Sequence, residues 1–356
     1  MCLTFVILAD MQRKYIAITC FFLIVSAVYF FVINRKVEEP KATSTTKTVF
    51  ESVSTATPFE FQELTIPYLR SRTYTSNLGM LQQATETTSY TGYLTNYSSD
   101  GLKINGLLTV PKGSIPEGGF PAVVFVHGYI PPSSYRTLEN YSSYVDYLAK
   151  QGIVVFKIDL RGHGSSQGEA NGAYYSSDYV VDVLNAYAAL QNFDSVNPNR
   201  IGLWGHSMAG NVVLRAMAVQ QTIPKVVIWA GAMYTYEDFG ELGIDDNSYQ
   251  PPGENTERRK KRDQLFALYG QFDPQSWFWQ QVPATNYLDG LNGAVQLHHA
   301  VDDNVVAVEY SRELMKVLDE TTIPHQLFEY NTGGHNISGS AFSQAMKRSA
   351  EFYLDE

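Results

Sequence analysis

Short apolar runs alternate with amphipathic runs along most of this chain, from about residue 91 to residue 353. Eight short runs rich in β-branched residues are predicted as strands, at 91–95, 104–110, 122–126, 153–158, 201–204, 226–229, 295–298 and 326–330. Several of them are apolar on both faces, which is typical of central strands in a parallel sheet. The runs at 178–190, 308–318 and 342–353 place apolar residues on one face and are predicted as helices. This rhythm predicts a doubly wound, mostly parallel α/β sheet, with Gly101 and Gly106 flanking an antiparallel pair at one edge.

The stretch at 234–283 interrupts this rhythm. At about 50 residues, it is too long for a simple connection between two strands. We interpret it as a short cap over the carboxyl edge of the sheet, where ligands bind in open α/β folds. Trp277 and Trp279 are expected in the core of this cap. The basic run at 258–262 is expected to form a solvated helix face.

An apolar segment without charged residues lies at 15–33. As a helix it would be about 28 Å long, close to the thickness of the hydrocarbon core of a bilayer. We predict an uncleaved signal-anchor, which makes the chain a single-pass membrane protein with its catalytic domain outside the cytoplasm. The alternative is a cleaved signal peptide, since Val25, Ser26 and Ala27 resemble a cleavage site. The predicted organisation is a tail at 1–14, the anchor at 15–33, a flexible linker at 34–58 and a folded domain at 59–356.

Composition limits the partners and cofactors. The formal net charge of -10 argues against a nucleic-acid-binding surface. The two cysteines, Cys2 and Cys20, precede the folded domain, which therefore has neither an internal disulfide nor a thiolate metal site. We predict no cofactor and no metal, and the sequence does not define an oligomeric state.

The strongest chemical signal is the sequence Gly-His-Ser-Met-Ala-Gly at 205–210. It follows the strand at 201–204 and precedes a helical run at 211–219, so that Ser207 occupies the tip of a sharp strand–helix turn. This is the context of a nucleophile elbow, in which the hydroxyl stands above the sheet edge. The amide groups at the start of the helix then face the reacting oxygen. Ser207 is therefore the candidate nucleophile.

A serine nucleophile needs a base and a group that orients the base, and in this type of fold the acid and then the histidine follow the serine along the chain. His335 lies in a loop with two glycines after the last predicted strand and is the candidate base. Two carboxylates, Asp302 and Asp303, follow the strand at 295–298. We choose Asp302, because residues 302–305 match the usual D-x-x-V motif, and keep Asp303 as the alternative.

Two backbone N–H groups are expected to stabilise a developing oxyanion. Met208, the residue after the nucleophile, supplies one of them, and Tyr129, after the strand at 122–126, supplies the other. His127 precedes the nucleophile in the chain and is interpreted as a residue that braces this loop. Asp159 and Arg161 are interpreted as a structural pair that fixes a second glycine-rich loop.

These motifs follow one another in a recognisable order: His-Gly at 127–128, Asp-x-Arg-Gly-His-Gly at 159–164, the elbow at 205–210, Asp-x-x-Val at 302–305 and Gly-His-Asn at 334–336. Over about residues 85–355 the chain resembles the catalytic α/β-hydrolase domain of the prolyl oligopeptidase family of serine peptidases, including its dipeptidyl-aminopeptidase and acylaminoacyl-peptidase-like branch. The resemblance implies peptide hydrolysis. The chain departs from the family at Ala209, where the motif has glycine. The roughly thirty folded residues before residue 90 are also too few for a β-propeller.

The sequence therefore predicts a membrane-anchored serine hydrolase that cleaves a peptide, amide or ester bond through an acyl-enzyme intermediate. Its partners are a small-molecule or peptide substrate and, through the N-terminal helix, a membrane. Because no propeller is expected, a carboxylesterase without peptidase activity is the main alternative. A third hypothesis, a non-catalytic binding protein with this fold, is disfavoured because candidates for all three triad members are present.

Overall fold

The structure is a computed structural model that describes residues 58–170, 172–249 and 256–355 of the 356-residue chain. Residues from Pro58 onward form one compact unit. The predicted signal-anchor at 15–33 lies outside the described residues. Within the described ranges, every helix is too short or too polar to cross a membrane.

The described strands form one twisted sheet. Its members are β1 (Gln82–Glu86), β2 (Tyr90–Ser99), β3 (Leu102–Pro111), β4 (Phe120–Val126), β5 (Val154–Ile158), β6 (Val196–His206), β7 (Lys225–Trp229), β8 (Ala294–Ala300) and β9 (His325–Tyr330). Their order across the sheet is β1-β2-β3-β5-β4-β6-β7-β8-β9. All pairs from β5 to β9 are parallel, whereas β1, β2 and β3 are antiparallel at one edge. The predicted α/β-hydrolase sheet and its antiparallel edge are confirmed.

Eight α-helices lie in the described part of the chain. They are α1 (Ile66–Ser71), α2 (Ser142–Lys150), α3 (Asp178–Gln191), α4 (Met208–Val219), α5 (Tyr236–Leu242), α6 (Glu257–Tyr269), α7 (Glu309–Asp319) and α8 (Ser340–Leu354). Helices α3, α4 and α7 bury their apolar faces in one cluster with the sheet, and α2 and α8 bury theirs in a second cluster. These two clusters cover opposite faces of the sheet, as a doubly wound fold requires, because its central strands are apolar on both sides.

Helices α5 and α6 lie between β7 and β8, inside the segment predicted as a cap. They share a separate apolar cluster with residues near the start of the described chain, formed by Leu64, Leu265, Phe278, Trp279 and Val282. The prediction for Trp279 is confirmed, since its side chain is fully buried there. The prediction for Trp277 is wrong: it is 60% exposed, and its ring meets the edge of the Phe59 ring at a centroid distance of 4.9 Å.

The basic run at 258–262 lies on α6, and most of its charges are solvated. Lys260 and Lys261 are exposed, and Lys260 forms a surface ion pair of 2.8 Å with Glu257 on the same helix. Such exposed pairs contribute little to stability. The run therefore forms the solvated helix face that was predicted.

Candidate active site

Strand β6 ends at His206 and α4 begins at Met208, which leaves Ser207 alone at the turn. Its backbone has φ 55° and ψ -123°, a combination that side-chain-bearing residues rarely adopt. The N–H of Ser207 donates to the carbonyl oxygen of Trp229 on β7 at 2.9 Å, which fixes the turn to the neighbouring strand. Strained backbone of this kind persists where the surrounding structure holds it, and it is concentrated at functional sites.

The glycines of the elbow are required by close backbone approaches. A Cβ on Gly205 would lie 2.7 Å from the carbonyl oxygen of Ala209, and a Cβ on Gly210 would lie 2.8 Å from the Cα of Gly231 in the loop after β7. Ala209 itself is completely buried. The methyl group of Ala209 is thus packed in the interior, and the positions where a Cβ would meet backbone too closely are Gly205 and Gly210.

The candidate base His335 is held by Asp303. Its Nδ1–H donates to Asp303 Oδ2 at 2.8 Å, and Asp303 Oδ1 accepts the backbone N–H groups of Val305 and Val306 at 2.9 and 3.0 Å. Asp302 instead accepts the N–H of Gly334 at 2.8 Å through Oδ1. The choice of Asp302 as the orienting acid is therefore wrong for this structure, and the alternative, Asp303, occupies that place.

The geometry of the turn after β8 explains the difference. A bond of 3.2 Å from the N–H of Asp303 to the carbonyl of Ala300 closes the turn, which directs Asp302 to the surface and Asp303 inward. Both carboxylates fit D-x-x-V, because Val305 and Val306 are consecutive, so the motif alone does not separate them. Only the inward carboxylate reaches the imidazole.

Asp303 is a buried carboxylate with four donors. In addition to its bonds with His335 and the two valine amides, its Oδ2 lies 3.2 Å from Nε2 of the fully buried His299. Burial alone would raise the pKa of Asp303, but the hydrogen bonds from His299 and His335 outweigh it and hold the pKa well below its usual value. The carboxylate is therefore ionised throughout the neutral range, as a group that stabilises an imidazolium must be.

Sequence reasoning missed the contribution of His299. The histidines at 298 and 299 were visible at the end of a strand, but their burial was not. The Oγ–H of Ser311 donates to His299 Nδ1 at 2.7 Å, and the Nε2–H of His299 is shared between the carbonyl oxygen of Val306 at 2.9 Å and Asp303 Oδ2 at 3.2 Å. These bonds fix its ring beside Asp303, so that it supports the acid and does not compete with His335 for the role of base.

The tautomer of neutral His335 follows from its bond with Asp303. Because Nδ1 carries the proton, Nε2 keeps its lone pair and is the basic nitrogen. The ring of His335 lies against that of His206, the residue before Ser207, with 4.7 Å between ring centroids. The base and the elbow therefore meet at the same edge of the sheet.

The two predicted oxyanion donors also lie at this edge. Strands β4 and β6 are parallel neighbours, with Val126 opposite Gly205, so the residues that follow each strand leave the sheet side by side. Tyr129 follows β4 after two residues, and Met208 is the first residue of α4. An N–H in the first turn of a helix has no acceptor within the helix and points toward the helix N-terminus.

His127 is completely buried beneath this loop. Its Nδ1–H donates to the carbonyl of Gly128 at 2.7 Å, and its ring packs on those of Tyr135 and His163 at centroid distances of 4.4 and 4.8 Å. Burial, with the neighbouring His163, lowers its pKa well below the usual histidine value. A bracing role fits these contacts.

The predicted pairing of Asp159 with Arg161 is wrong. Arg161 binds Asp182 on α3, with its Nη2 2.7 Å from Asp182 Oδ1, and Asp159 instead accepts hydrogen bonds from Tyr135 and Thr137. Both residues still fix the loop after β5, but each does so through a different element. The short spacing of the two residues suggested that they pair with each other, but the partners that they bind lie 21 to 24 positions away in the sequence.

No group of three or more histidine, cysteine, aspartate or glutamate side chains in the described ranges is arranged to hold a metal ion. The site itself brings together a serine, a histidine, a buried carboxylate and backbone amides.

Two hydrolase family models match parts of this chain. The model of the serine aminopeptidase S33 family matches residues 120–242, and that of the BAAT/acyl-CoA thioester hydrolase C-terminal family matches residues 184–347. A polyketide transferase, claH, of Penicillium crustosum is 30% identical over 146 residues, which are 41% of this chain and 46% of that protein. Human dipeptidyl peptidase 8 is 27% identical over 249 residues, which are 67% of this chain and 25% of that protein. The chain thus spans less than half the length of either relative.

Among solved structures, the acetyl xylan esterase from Paenibacillus sp. R4 superposes with a TM-score of 0.57 at 19% sequence identity. The match covers 81% of this chain and 92% of the esterase, and at this identity it shows the shared fold.

Fold, site and comparisons together define the class: the protein is an α/β-hydrolase and an enzyme of the serine hydrolase type. Within that class, the matches to dipeptidyl peptidases confirm its resemblance to the prolyl oligopeptidase-like family.

Proposed function

We propose that this hydrolase cleaves ester or amide bonds through an acyl-enzyme formed on Ser207. The observation that carries the proposal is the 2.8 Å bond between His335 and the buried Asp303, at the sheet edge where the strained Ser207 turn also lies. That bond leaves His335 Nε2 as a base and supplies a buried anion that stabilises the charged ring once it forms.

The reaction proceeds in two halves. Ser207 Oγ attacks the carbonyl carbon, its proton passes to His335 Nε2, and the carbonyl oxygen becomes an oxyanion that accepts from the N–H groups of Met208 and Tyr129. When the intermediate collapses, the leaving group departs with the proton from His335, and the acyl group remains on Ser207. Water then attacks the acyl-enzyme, gives a proton to His335, and releases the acid as Ser207 recovers that proton.

The family that the chain resembles favours peptides as the substrate class. Hydrolysis of esters without peptidase activity is the second candidate function. The second is supported by the short elements of the cap: the described part of the segment between β7 and β8 contains the helices α5 and α6 and two short 3₁₀ turns. It is also supported by the similarity to the acetyl xylan esterase over 92% of that structure.

Turnover of p-nitrophenyl acetate and of an aminoacyl p-nitroanilide by the wild type and Ser207→Ala tests the mechanism. We expect a loss on the order of 10³-fold or more in kcat for Ser207→Ala. Ser165→Ala, which changes an exposed serine on another loop, is the matched control and is expected to keep wild-type rates. Equal rates in Ser207→Ala and the wild type would refute the mechanism.

A matched panel of esters and amides, each pair carrying the same acyl group, separates the two substrate classes. For a peptidase, Ser207-dependent turnover of the amides is expected at several acyl groups. If the wild type cleaves only the esters, and cleaves the amides no faster than Ser207→Ala does, the protein is a carboxylesterase without peptidase activity.

We also propose that residues 15–33 anchor the enzyme in a membrane with the catalytic unit outside the cytoplasm. The support is the uncharged apolar length of that segment and its flanking basic residues. Two experiments on cells that express the full chain test the anchor and its orientation. Membranes from these cells are extracted with alkaline carbonate, and, separately, intact cells are digested with an external protease. Activity in the carbonate supernatant, or protection of the catalytic unit from external protease, would contradict it.

A further inference from the structure

Three hydrogen bonds in series connect the three parts of the site. The N–H of Gly128, in the predicted oxyanion loop, donates to Tyr141 Oη at 3.0 Å. Tyr141 Oη lies 2.7 Å from His206 Nδ1, and His206 Nε2 lies 2.8 Å from the carbonyl oxygen of His335. The series therefore runs from the oxyanion loop, through the residue before the nucleophile, to the backbone of the base.

Each bond in the series has a defined direction. A carbonyl oxygen accepts, so His206 Nε2 must carry a proton that it donates to His335. Burial, together with the nearby His335, lowers the pKa of His206 to about 3, so that its ring is neutral and Nδ1 keeps its lone pair. Tyr141 must then donate to Nδ1, which leaves its oxygen to accept from Gly128. All donors and acceptors in the series are satisfied at once.

Packing holds the central phenol in place. The Tyr141 ring meets those of Phe125, Tyr144 and Trp204 edge to face, at centroid distances of 5.5, 5.3 and 6.1 Å. Gly128 is pressed against the series from the other side. A Cβ at Gly128 would lie 2.9 Å from Tyr141 Oη and 3.0 Å from His206 Nδ1. The spacing of the three parts is thus fixed by contacts on both sides.

We propose that Tyr141 and His206 are positioning residues that set the distance between the oxyanion donors, Ser207 and His335. Neither side chain forms or breaks a bond with the substrate. They act together through the series of hydrogen bonds, and this role rests on the proposed function of Ser207 and His335. A displacement of about 1 Å at a reacting group is enough to lower a rate on the order of 100-fold.

Tyr141→Phe, His206→Phe and the double variant of the full chain test this proposal with a p-nitrophenyl ester. Each single variant is expected to lower kcat roughly 10- to 100-fold with KM changed less than about threefold, because binding of the ground state does not depend on the oxyanion donors. The double variant is expected within about threefold of the slower single variant, since either change alone interrupts the series.

Tyr97→Phe is the matched control. It removes another buried tyrosine hydroxyl, which donates at 2.9 Å to the carbonyl of Asp182 on α3. It is expected to lower the melting temperature by an amount similar to Tyr141→Phe while leaving kcat at the wild-type value. An equal fall of kcat in the control would show that loss of stability, and not position, determines the rate.

Three results would overturn the proposal: a kcat for Tyr141→Phe within about threefold of wild type, a double variant whose loss is the product of the single losses, or a change confined to KM. Ser207→Ala is assayed in parallel. If Ser207→Ala is inactive and Tyr141→Phe is fully active, the positioning role fails while the proposed function stands. If Ser207→Ala is active, both fail.

Nitrogen NMR of ¹⁵N-histidine-labelled wild-type protein tests the series without a substitution in it. His206 is expected to carry its proton on Nε2 and to have an unprotonated Nδ1 between about pH 5 and pH 8. A protonated Nδ1, or a ring that titrates within that range, would contradict the assigned direction. This measurement tests the assigned direction of the hydrogen bonds even where a variant does not fold.

Discussion

Replacing Asp303 with asparagine removes the buried carboxylate that holds His335, whereas the same replacement at Asp302 leaves an acceptor for the Gly334 N–H. The two oxygens of Asp303 have separate partners. Oδ1 accepts from the amides of Val305 and Val306, and Oδ2 accepts from His335 and His299. In Asp303→Asn, the amide oxygen must stay at the Oδ1 position, so the amide nitrogen takes the place of Oδ2 and faces the two imidazoles.

The size of the effect follows from this geometry. An amide nitrogen donates, so His335 must offer it a lone pair at Nδ1 and keep its proton on Nε2, where it can no longer accept the proton of Ser207. Loss of the correct tautomer and of the anion lowers kcat on the order of 10⁴-fold in a site of this design, which is about 5.5 kcal/mol of transition-state stabilisation. For Asp302→Asn the change is expected within about threefold, because Oδ1 still accepts from Gly334.

The assay is kcat/KM for a p-nitrophenyl ester, with both purified variants shown to be folded by circular dichroism. The account predicts that Asp303→Asn is the slow variant and Asp302→Asn the fast one. The opposite order would refute the assignment of Asp303 and restore the sequence-based choice of Asp302.

Three further predictions concern the elbow and the buried histidines. Ser207→Gly is expected to be more stable than Ser207→Ala by about 1 kcal/mol or more in urea unfolding, because only glycine relaxes at φ 55°, ψ -123°; an alanine variant as stable as the glycine variant would refute the strain. Gly205→Ala is expected to lower the unfolding free energy by about 1–3 kcal/mol, because its Cβ would lie 2.7 Å from the Ala209 carbonyl oxygen. Ala209→Gly is expected to lower it by about 1 kcal/mol or less. Similar losses of unfolding free energy for the two variants would contradict the packing argument. Burial lowers the pKa of both His206 and His298 to about 3. Between about pH 6.5 and pH 3 the unfolded chain therefore binds protons that the folded chain does not, and the unfolding free energy is expected to fall as the pH decreases through that window. A flat profile of unfolding free energy against pH there would show that these rings are charged in the folded protein.

The main elements of the sheet were predictable because burial leaves a strong pattern. Most residues of strands β4 to β8 are buried, so their apolar runs stand out. Strand β1 was missed, because it lies at the exposed antiparallel edge and its sequence Gln-Gln-Ala-Thr-Glu is exposed at every residue. Its backbone pairs with β2, and backbone pairing leaves no mark on residue type.

The chemistry was predictable where it depends on neighbours in the sequence. Ser207 and His335 were found from their local motifs. The choice between Asp302 and Asp303 depends on which way a turn directs each carboxylate, and the motif fits both. Likewise, Tyr141 had no motif to mark it, since its partners lie 13 and 65 positions away and meet it only in the folded chain.

The central claim is that Ser207 is the nucleophile of an acyl-transfer site. Its most direct test is labelling of the full chain with a fluorophosphonate, followed by mass spectrometry of the peptides. The account predicts one adduct, on Ser207, formed rapidly by the wild type, slowly by Asp303→Asn and not at all by Ser207→Ala. An adduct on another serine, or none on the wild type, would contradict the account.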